Sequence, residues 1–197
     1  MKYFIDCGGH HGERLKHFID LHKIDPSWKI YSFEPNRESF NILKNVEHKG
    51  CNINPINSGI WIFDGELKFN PEKTNPDYFE GNQDGEGSTF MDLENWRIKS
   101  SSNPGAGDFI DSYVIGVTDL SKFIEKLEDR EYLLVKMDIE GSEYPVLRHL
   151  IKEGTISKID DLYVEFHDWA MATEDSNSTN SLIQEIKNLC IDIRDRA

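Results

Sequence analysis

Apolar and polar positions alternate along the chain in blocks that predict strands followed by helices. Short apolar runs predict strands at residues 3–5, 30–34, 53–62, 112–117, 132–137 and 162–167. Helical spacing of apolar residues follows most of these runs, with Asn36, Thr118 and Ser142 as predicted N-caps. Residues 64–65 predict a hairpin turn that pairs residues 66–69 with the third strand. The pattern therefore predicts an α/β fold with a doubly wound, mainly parallel sheet.

Residues 70–110 break this alternation and show no sustained period. The segment is rich in Gly, Asn, Ser and Pro, yet it also carries Phe79, Phe90, Met91 and Trp96, which pure linkers rarely contain. A loop of this length is either functional or disordered. We expect a lid or substrate platform inserted into a single domain spanning residues 1–197. A partly ordered surface insertion is the alternative.

Composition narrows the classes of partner. The chain has 197 residues with 36 acidic and 22 basic side chains, a formal net charge of −14, which argues against nucleic acid and anionic membranes. It lacks both an apolar stretch of membrane-spanning length and a basic-then-apolar start typical of a secretion signal. Its three cysteines, Cys7, Cys51 and Cys190, are typical of reduced intracellular thiols. We expect a cytoplasmic protein, with the oligomeric state left open.

A glycine-containing turn follows the first predicted strand. Asp6, Gly8, Gly9 and Gly12 lie in a segment where the backbone can approach a ligand closely and a helix N-terminus begins. The dinucleotide fingerprint G-x-G-x-x-G is absent, since it would need glycine two and five residues after Gly8. Glu34 ends the second strand, where a carboxylate can accept hydrogen bonds from both ribose hydroxyls of an adenosine. Either signal alone fits a tight turn or a solvated charge, but together they predict an adenosine ligand.

Acidic residues gather at the ends of two later strands. Asp138 and Glu140 follow the apolar run 132–137, and Glu165 and His167 end the run 162–167. Carboxyl ends of parallel strands meet at the ligand-binding edge of such sheets, so these four are candidate catalytic residues. His167 is the preferred general base, because an imidazole paired with a carboxylate can titrate near neutrality; the alternative is a structural hydrogen bond. Asp138, Glu165 and His167 together could bind Mg²⁺ or Mn²⁺, which is not the favoured interpretation.

Several of these blocks resemble the FkbM-type methyltransferases. The resemblance lies mainly in residues 6–12, 32–36 and 136–143, and it extends to residues 117–120 and 163–167. The resemblance implies a Rossmann-like class I methyltransferase fold with S-adenosylmethionine as methyl donor. Residues 191–197 leave room for one short strand, so a shortened C-terminal end is expected. The cofactor-binding residues implied by position are Asp6, Gly8, Gly9, Gly12, Glu34, Asn36, Asn57 or Ser58, and Asp138.

The family resemblance also implies a reaction. Its members mostly methylate oxygen, often hydroxyls of sugars or sugar-containing molecules, so we expect an O-methyltransferase acting on a glycan or small-molecule hydroxyl. One alternative is an NAD- or nucleotide-sugar-dependent oxidoreductase, which predicts G-x-G-x-x-G and a Tyr-x-x-x-Lys pair that the chain lacks. The other is a non-catalytic nucleotide-binding module.

Overall fold

The structure is a computed structural model that describes residues 1–72, 87–94, 109–189 and 191–195. Strands and helices alternate through most of it, as predicted. The strands are β1 (Lys2–Cys7), β2 (Lys29–Phe33), β3 (Asn52–Ile56), β4 (Gly59–Trp61), β5 (Gly65–Phe69), β6 (Tyr113–Asp119), β7 (Tyr132–Met137), β8 (Asp161–Val164) and β9 (Asp192–Asp195). The helices are α1 (Glu13–Leu21), α2 (Arg37–Leu43), α3 (Leu120–Glu125), α4 (Glu143–Glu153) and α5 (Ser176–Asn188), with 3-10 turns at Thr155–Lys158 and Asp168–Ala170.

The main sheet has six strands in the order β3-β2-β1-β7-β8-β9, and every neighbouring pair is parallel. Strand β1 pairs with β2 on one side and with β7 on the other, so the chain reverses its direction of winding between them. Open α/β sheets bind ligands in the crevice at this reversal, outside the carboxyl ends of the strands. The predicted Rossmann-like α/β architecture is confirmed.

Both faces of the sheet are covered, which explains the continuous apolar run in β7. Leu133 and Val135 belong to one buried cluster, and Leu134 between them belongs to the other. Successive side chains of a strand point to opposite faces, so a strand buried on both sides needs apolar residues throughout. Helix α1 covers one face with Leu15, Phe18 and Ile19, while Val146 and Leu147 of α4 belong to the cluster on the other.

The third predicted strand is not continuous. Residues 53–62 divide at Asn57 and Ser58 into β3, in the main sheet, and β4, in a second sheet of order β4-β6-β5. The Asn57 side-chain amide donates to the Glu34 carbonyl at 2.8 Å, and the Ser58 hydroxyl lies 2.9 Å from that of Thr118, so local polar contacts hold the break. The predicted hairpin partner is also wrong, because β5 pairs antiparallel with β6.

Two of the predicted N-cap residues, Thr118 and Ser142, do not cap a helix with their side chains. Strand β6 continues through Thr118, and the carboxylate of Asp119 caps α3 by accepting from the Lys122 amide at 3.2 Å. Ser142 stands at the N-cap of α4, but its hydroxyl makes no capping bond. Asn36 caps α2 as predicted, accepting from the backbone amides of the first turn.

The remaining expectations concern the insertion and the two ends. Within 70–110, Asn70 bridges to Thr89 and Glu72 to Phe109, so the described parts pair with one another. Phe79, Trp96 and Cys190 lie outside the described residues. The predicted strand 162–167 ends at Val164, and the last short strand, β9, runs parallel to β8. Within the described ranges, no helix combines the length and apolar character needed to cross a membrane.

Candidate active site

The turn after β1 is packed directly against the end of β7. The amides of Gly8 and Gly9 donate to the Phe33 carbonyl at 3.0 and 2.9 Å, which ties this turn to the end of β2. Gly8 has φ of +87°, and a Cβ there would lie 1.9 Å from the Asp138 carbonyl oxygen. Only glycine permits both the left-handed backbone and this close approach. The glycine pattern therefore brings the first and seventh strands together at one edge.

Asp6 lies beneath the turn and does not line the cavity. It is fully buried, accepts a hydrogen bond from the Ser32 hydroxyl at 2.6 Å and pairs with the ammonium of Lys136 at 3.3 Å. Burial raises the pKa of the Asp6 carboxyl, which Lys136 and Ser32 partly offset. Through Lys136, which also donates to the Gly8 carbonyl, Asp6 supports the glycine turn.

Lys136 links the two sides of the site, a role that sequence reasoning missed. Its side chain is 1% exposed, and its ammonium donates to the Gly8 carbonyl at 2.7 Å while lying 3.6 Å from the Asp138 carboxylate. Burial alone would lower the pKa of Lys136, but Asp6 and Asp138 raise it above its ordinary value. The available signal was a lysine inside an otherwise apolar buried strand, which is rare unless the charge is paired.

Glu34 presents a carboxylate at the end of β2. One oxygen accepts from the His10 amide at 2.8 Å and the other from the Asn36 amide at 2.7 Å. Burial raises the pKa of Glu34 to about 7, against the lowering effect of the two amides. Each carboxylate oxygen can accept more than one hydrogen bond, so further acceptor capacity is available to a ligand.

Three other residues predicted to bind the cofactor instead shape or contact the protein backbone. Gly12, at φ of +89°, forms the N-cap of α1, and the side-chain oxygen of Asn36 accepts from the Glu38 amide. The Ser58 hydroxyl is 3.1 Å from the carbonyl of Gly116 and also contacts Thr118. Like Asp6, these three residues stabilise the backbone around the cavity and are not among the residues that line it.

The carboxyl ends of β7 and β8 bring together a cluster of charged side chains around His167. The Nε2 atom of His167 lies 3.2 Å from Glu140 Oε1 and 3.8 Å from Asp138 Oδ1, and Nδ1 lies 3.0 Å from Glu143 Oε1. Glu143 is fully buried and accepts from the backbone amides of Ile139 and Gly141, both at 2.9 Å. Glu143 therefore holds the turn that precedes α4, and it contacts the imidazole from behind.

The charge state of His167 differs from the predicted one. Burial lowers the pKa of His167, but the carboxylates of Glu143 and Glu140 outweigh this effect and raise the pKa to about 12. An imidazole that keeps its proton at neutral pH cannot take another from a substrate, so this environment does not favour the predicted general base. Burial raises the pKa of Glu140 to about 7, although His167 lowers it.

A cavity of about 350 Å³ opens between these two sides. Six of the predicted residues line it: Gly8, Gly9, Glu34, Asp138, Glu140 and Glu165. Phe90 of the insertion closes one wall, because it packs 5.0 Å from the Phe69 ring and fills the space that a side chain at Gly59 would occupy. The hydroxyl of Thr89 donates to the Glu140 carbonyl at 2.6 Å. The described part of the predicted lid thus contacts the acidic edge directly.

A second cavity of about 770 Å³ adjoins the first between α1 and α5. Arg14 and Glu165 line both cavities. Trp169 lines the second, is 64% exposed and has its ring 6.0 Å from that of His167. The two cavities therefore share Arg14 and Glu165 as a common wall.

Two groups in the described ranges have side chains spaced for a metal ion. One is Asp138, Glu140 and His167, and the other is His10, His11 and Glu13, with ligand atoms within 4.8 Å of one another in each group. In the first group Glu140 takes the place that the sequence-based ligand set assigned to Glu165. The His10 and His11 rings of the second group stack at 3.8 Å.

The parallel sheet with helices on both faces defines a Rossmann-like protein, and the glycine turn and Glu34 lie at the edge where such sheets bind ligands. A family model described as the methyltransferase FkbM domain matches residues 6–190. The chain belongs to the FkbM methyltransferase family. This confirms the family resemblance and indicates a methyltransferase.

Among solved structures, the chain is similar to the methyltransferase FkbM from Methylobacillus flagellatus KT, with a TM-score of 0.51 and 17% sequence identity. The match covers 93% of this chain and 37% of that protein, so the chain spans about a third of its length. At this identity the similarity supports the fold. No curated protein matches the chain.

Proposed function

We propose that the chain is an S-adenosylmethionine-dependent O-methyltransferase whose acceptor is a hydroxyl of a sugar, a glycan or a small sugar-containing molecule. Family membership supports methyl transfer. The observation that carries the cofactor assignment is the Glu34 carboxylate, which lines the cavity with both oxygens oriented by backbone amides. A carboxylate at the end of the second strand is suited to the two hydroxyls of a ribose.

The walls of the cavity suggest how the rest of the cofactor lies. Phe33, Ile60 and Phe90 provide apolar surface near Glu34, which suits an adenine ring. The methionine end would lie over the turn at Gly8 and Gly9, pointing toward Asp138. Because the amides of these glycines donate to a carbonyl of the protein, the turn contributes close backbone approach and not these two donors. Asp6, Gly12, Asn36 and Ser58 would support the cofactor indirectly.

The acidic edge suits the transfer step. The acceptor oxygen would attack the methyl carbon in line with the carbon–sulfur bond, which breaks to leave a neutral thioether as the carbon–oxygen bond forms. The acceptor hydroxyl loses its proton, and the carboxylates of Asp138, Glu140 and Glu165 line the cavity where that proton would be released. Positioning supplies much of the rate in such a displacement, and proton removal compensates for the weak nucleophilicity of a hydroxyl.

The adjoining cavity supports the sugar assignment. Exposed Trp169 offers a flat apolar surface, while Asp168 and Asn180 line the same cavity with polar groups. Sugars present apolar ring faces together with hydroxyls, and aromatic side chains with a nearby polar group suit both. Arg14 and Glu165, which line both cavities, would contact an acceptor that reaches the methyl group.

Calorimetric titration with S-adenosylmethionine, S-adenosylhomocysteine and NAD tests the cofactor. We expect binding of the two sulfur compounds, weakened roughly 10- to 100-fold by Glu34→Ala, because a hydrogen bond to a charged group contributes about 1.5–3 kcal/mol. Glu38→Ala is the matched control, since Glu38 is exposed on the first turn of α2. Failure of a folded chain to bind either sulfur compound would contradict the proposal, and NAD binding would favour the oxidoreductase.

Methyl transfer from labelled S-adenosylmethionine to monosaccharides, oligosaccharides and phenols tests the reaction and acceptor class. Asp138→Asn should retain cofactor binding and lose turnover if the chain is a catalyst. A non-catalytic module would show no transfer in either form. Transfer to phenols without transfer to sugars would contradict the acceptor assignment alone.

A further inference from the structure

The geometry assigns a divalent-cation site to Asp138, Glu140 and His167, at the carboxyl ends of β7 and β8. The ion we propose is Mn²⁺, or Mg²⁺ in its place, because the ligand set is two carboxylate oxygens and one imidazole nitrogen. The role of the ion in catalysis rests on the proposed function, whereas its binding does not.

The distances agree with a shared ion. His167 Nε2 lies 3.2 Å from Glu140 Oε1 and 3.8 Å from Asp138 Oδ1. Two ligands about 2.1 Å from an ion and at right angles to each other are about 3 Å apart. The Glu140 spacing already matches this value, and Asp138 needs to move by less than about 1 Å. Both carboxylates line the cavity, so an ion between them is accessible.

The support behind His167 is the second observation. The fully buried Glu143 lies 3.0 Å from Nδ1, which directs Nε2 toward Asp138 and Glu140. Glu143 is itself held by two backbone amides, so the imidazole orientation is fixed from behind. Histidines that bind metals usually donate their other ring N–H to a carboxylate in this way, which sets the tautomer and the direction of the ligand nitrogen.

The charge around His167 also favours a cation. Three carboxylates, those of Asp138, Glu140 and Glu143, lie within 3.8 Å of one imidazole. One imidazolium balances a single negative charge, and the nearby Lys136 is shared between Asp138 and Asp6. A divalent ion would displace the Nε2 proton of this imidazolium and bring two positive charges in place of one, which neutralises more of the excess than the ion pairs do.

Glu140 is directed at this point by an unusual backbone. Its φ is +51°, a left-handed value that costs a non-glycine residue roughly 1–2 kcal/mol, and Gly141 follows with φ of +91°. Thr89 holds the Glu140 carbonyl with a 2.6 Å hydrogen bond. Strain of this kind persists where the surrounding structure enforces it, which occurs most often at functional sites.

An ion at this position would serve the proposed reaction. Three protein ligands leave coordination positions for an acceptor hydroxyl, whose pKa the ion would lower. The hydroxyl proton would pass to water, and the resulting oxygen would lie at the same edge as the methyl group. The positive ion would also draw the hydroxyl of a sugar toward Asp138 and away from bulk solvent.

Manganese binding to the purified chain, without cofactor or acceptor, tests the site. Loss of the electron paramagnetic resonance signal of free Mn²⁺ measures the affinity, with one ion per chain expected. Asp138→Asn should weaken binding at least tenfold. Glu143→Gln should weaken it about 10- to 100-fold, as found when partners behind metal ligands are changed. Glu165→Gln and His10→Asn are the controls and should stay within twofold; His10 belongs to the other group with metal-ligand spacing.

Circular dichroism establishes that each variant is folded, and Asp138→Asn carries the test because Asp138 is partly exposed and its replacement preserves shape. A folded wild-type chain that binds no Mn²⁺ at 1 mM would overturn the site. So would binding that Asp138→Asn leaves unchanged, or that His10→Asn abolishes. Titration of the same samples with S-adenosylmethionine separates the two proposals, since each ligand is added in the absence of the other and each binding is measured on its own.

Discussion

The β1–β2 side of the cavity and the β7–β8 side both present carboxylates, but they hold them by different means. Glu34 is positioned by the backbone amides of His10 and Asn36. Asp138 and Glu140 are positioned around the His167 side chain. Backbone donors have fixed positions and charges, whereas a side-chain cluster can exchange a proton for another cation. The β1–β2 side is therefore suited to a ligand whose charge stays constant, and the β7–β8 side to a reaction step in which charge changes.

Lys136→Met should produce the largest effect, because Lys136 connects the two sides. The change leaves Asp6 buried without its counter-charge and the Gly8 carbonyl without this donor. Removing one partner of a buried pair costs about 3–5 kcal/mol, so urea denaturation should show a loss of that size. Lys49→Met is the control, since Lys49 is 59% exposed and its pair with Asp20, itself 49% exposed, contributes about 1 kcal/mol or less.

Asp6→Asn added to Lys136→Met tests the cause. The double variant should regain part of the lost stability, because it removes the unpaired buried carboxylate. An equal or larger loss would show that Lys136 acts through the Gly8 carbonyl alone.

The difference in stability between Glu34→Gln and wild type should depend on pH, because Glu34 is a buried carboxylate on the β1–β2 side. The native pKa of Glu34 is raised from 4.5 to about 7, so the folded state binds the proton more tightly than the unfolded state. Wild-type stability therefore falls as pH rises from about 4.5 to about 7. Across this window the stability of the variant relative to wild type should improve by about 3 kcal/mol, with a plateau above pH 7.

Urea titrations at several pH values measure this difference, and any pH-independent loss from the altered hydrogen bonds cancels in the comparison. Glu38→Gln, at an exposed position of the first turn of α2, is the matched control. A flat profile for Glu34→Gln would mean that the carboxylate is better solvated or better paired than its burial indicates.

Thr89→Val should have the smallest effect on stability and should separate the two sides. With little change in shape, it removes the hydroxyl that donates to the Glu140 carbonyl and accepts from the Met91 amide, at a cost of about 1 kcal/mol for each hydrogen bond. Methyl transfer should fall while S-adenosylmethionine affinity remains unchanged, because the contact lies on the β7–β8 side. Thr155→Val, which disturbs a buried hydroxyl away from the cavity, is the control. Weaker cofactor binding would show that the two sides are coupled through Thr89.

Local patterns predicted most of the strands and helices correctly. The apolar runs and helical spacing located β1, β2, β7 and their helices, since burial on one or two faces imposes a period on the chain itself. Gly8 and Glu34 were identifiable because a glycine or a carboxylate directly after a strand can be recognised from a few neighbouring residues. Phe90, which belongs to the segment predicted as a lid or substrate platform, lines the cavity.

Only the tertiary structure determined the pairings and the charge states. The partner of β5, the break at Asn57 and the role of Lys136 depend on segments distant along the chain. The protonation of His167 depends on Glu143 and Glu140, which a different strand end supplies. The sequence by itself determined which side chains reach the sheet edge, because strand periodicity is local. It did not determine what those side chains do there, because electrostatic energies depend on distances and burial that exist only once the chain is folded.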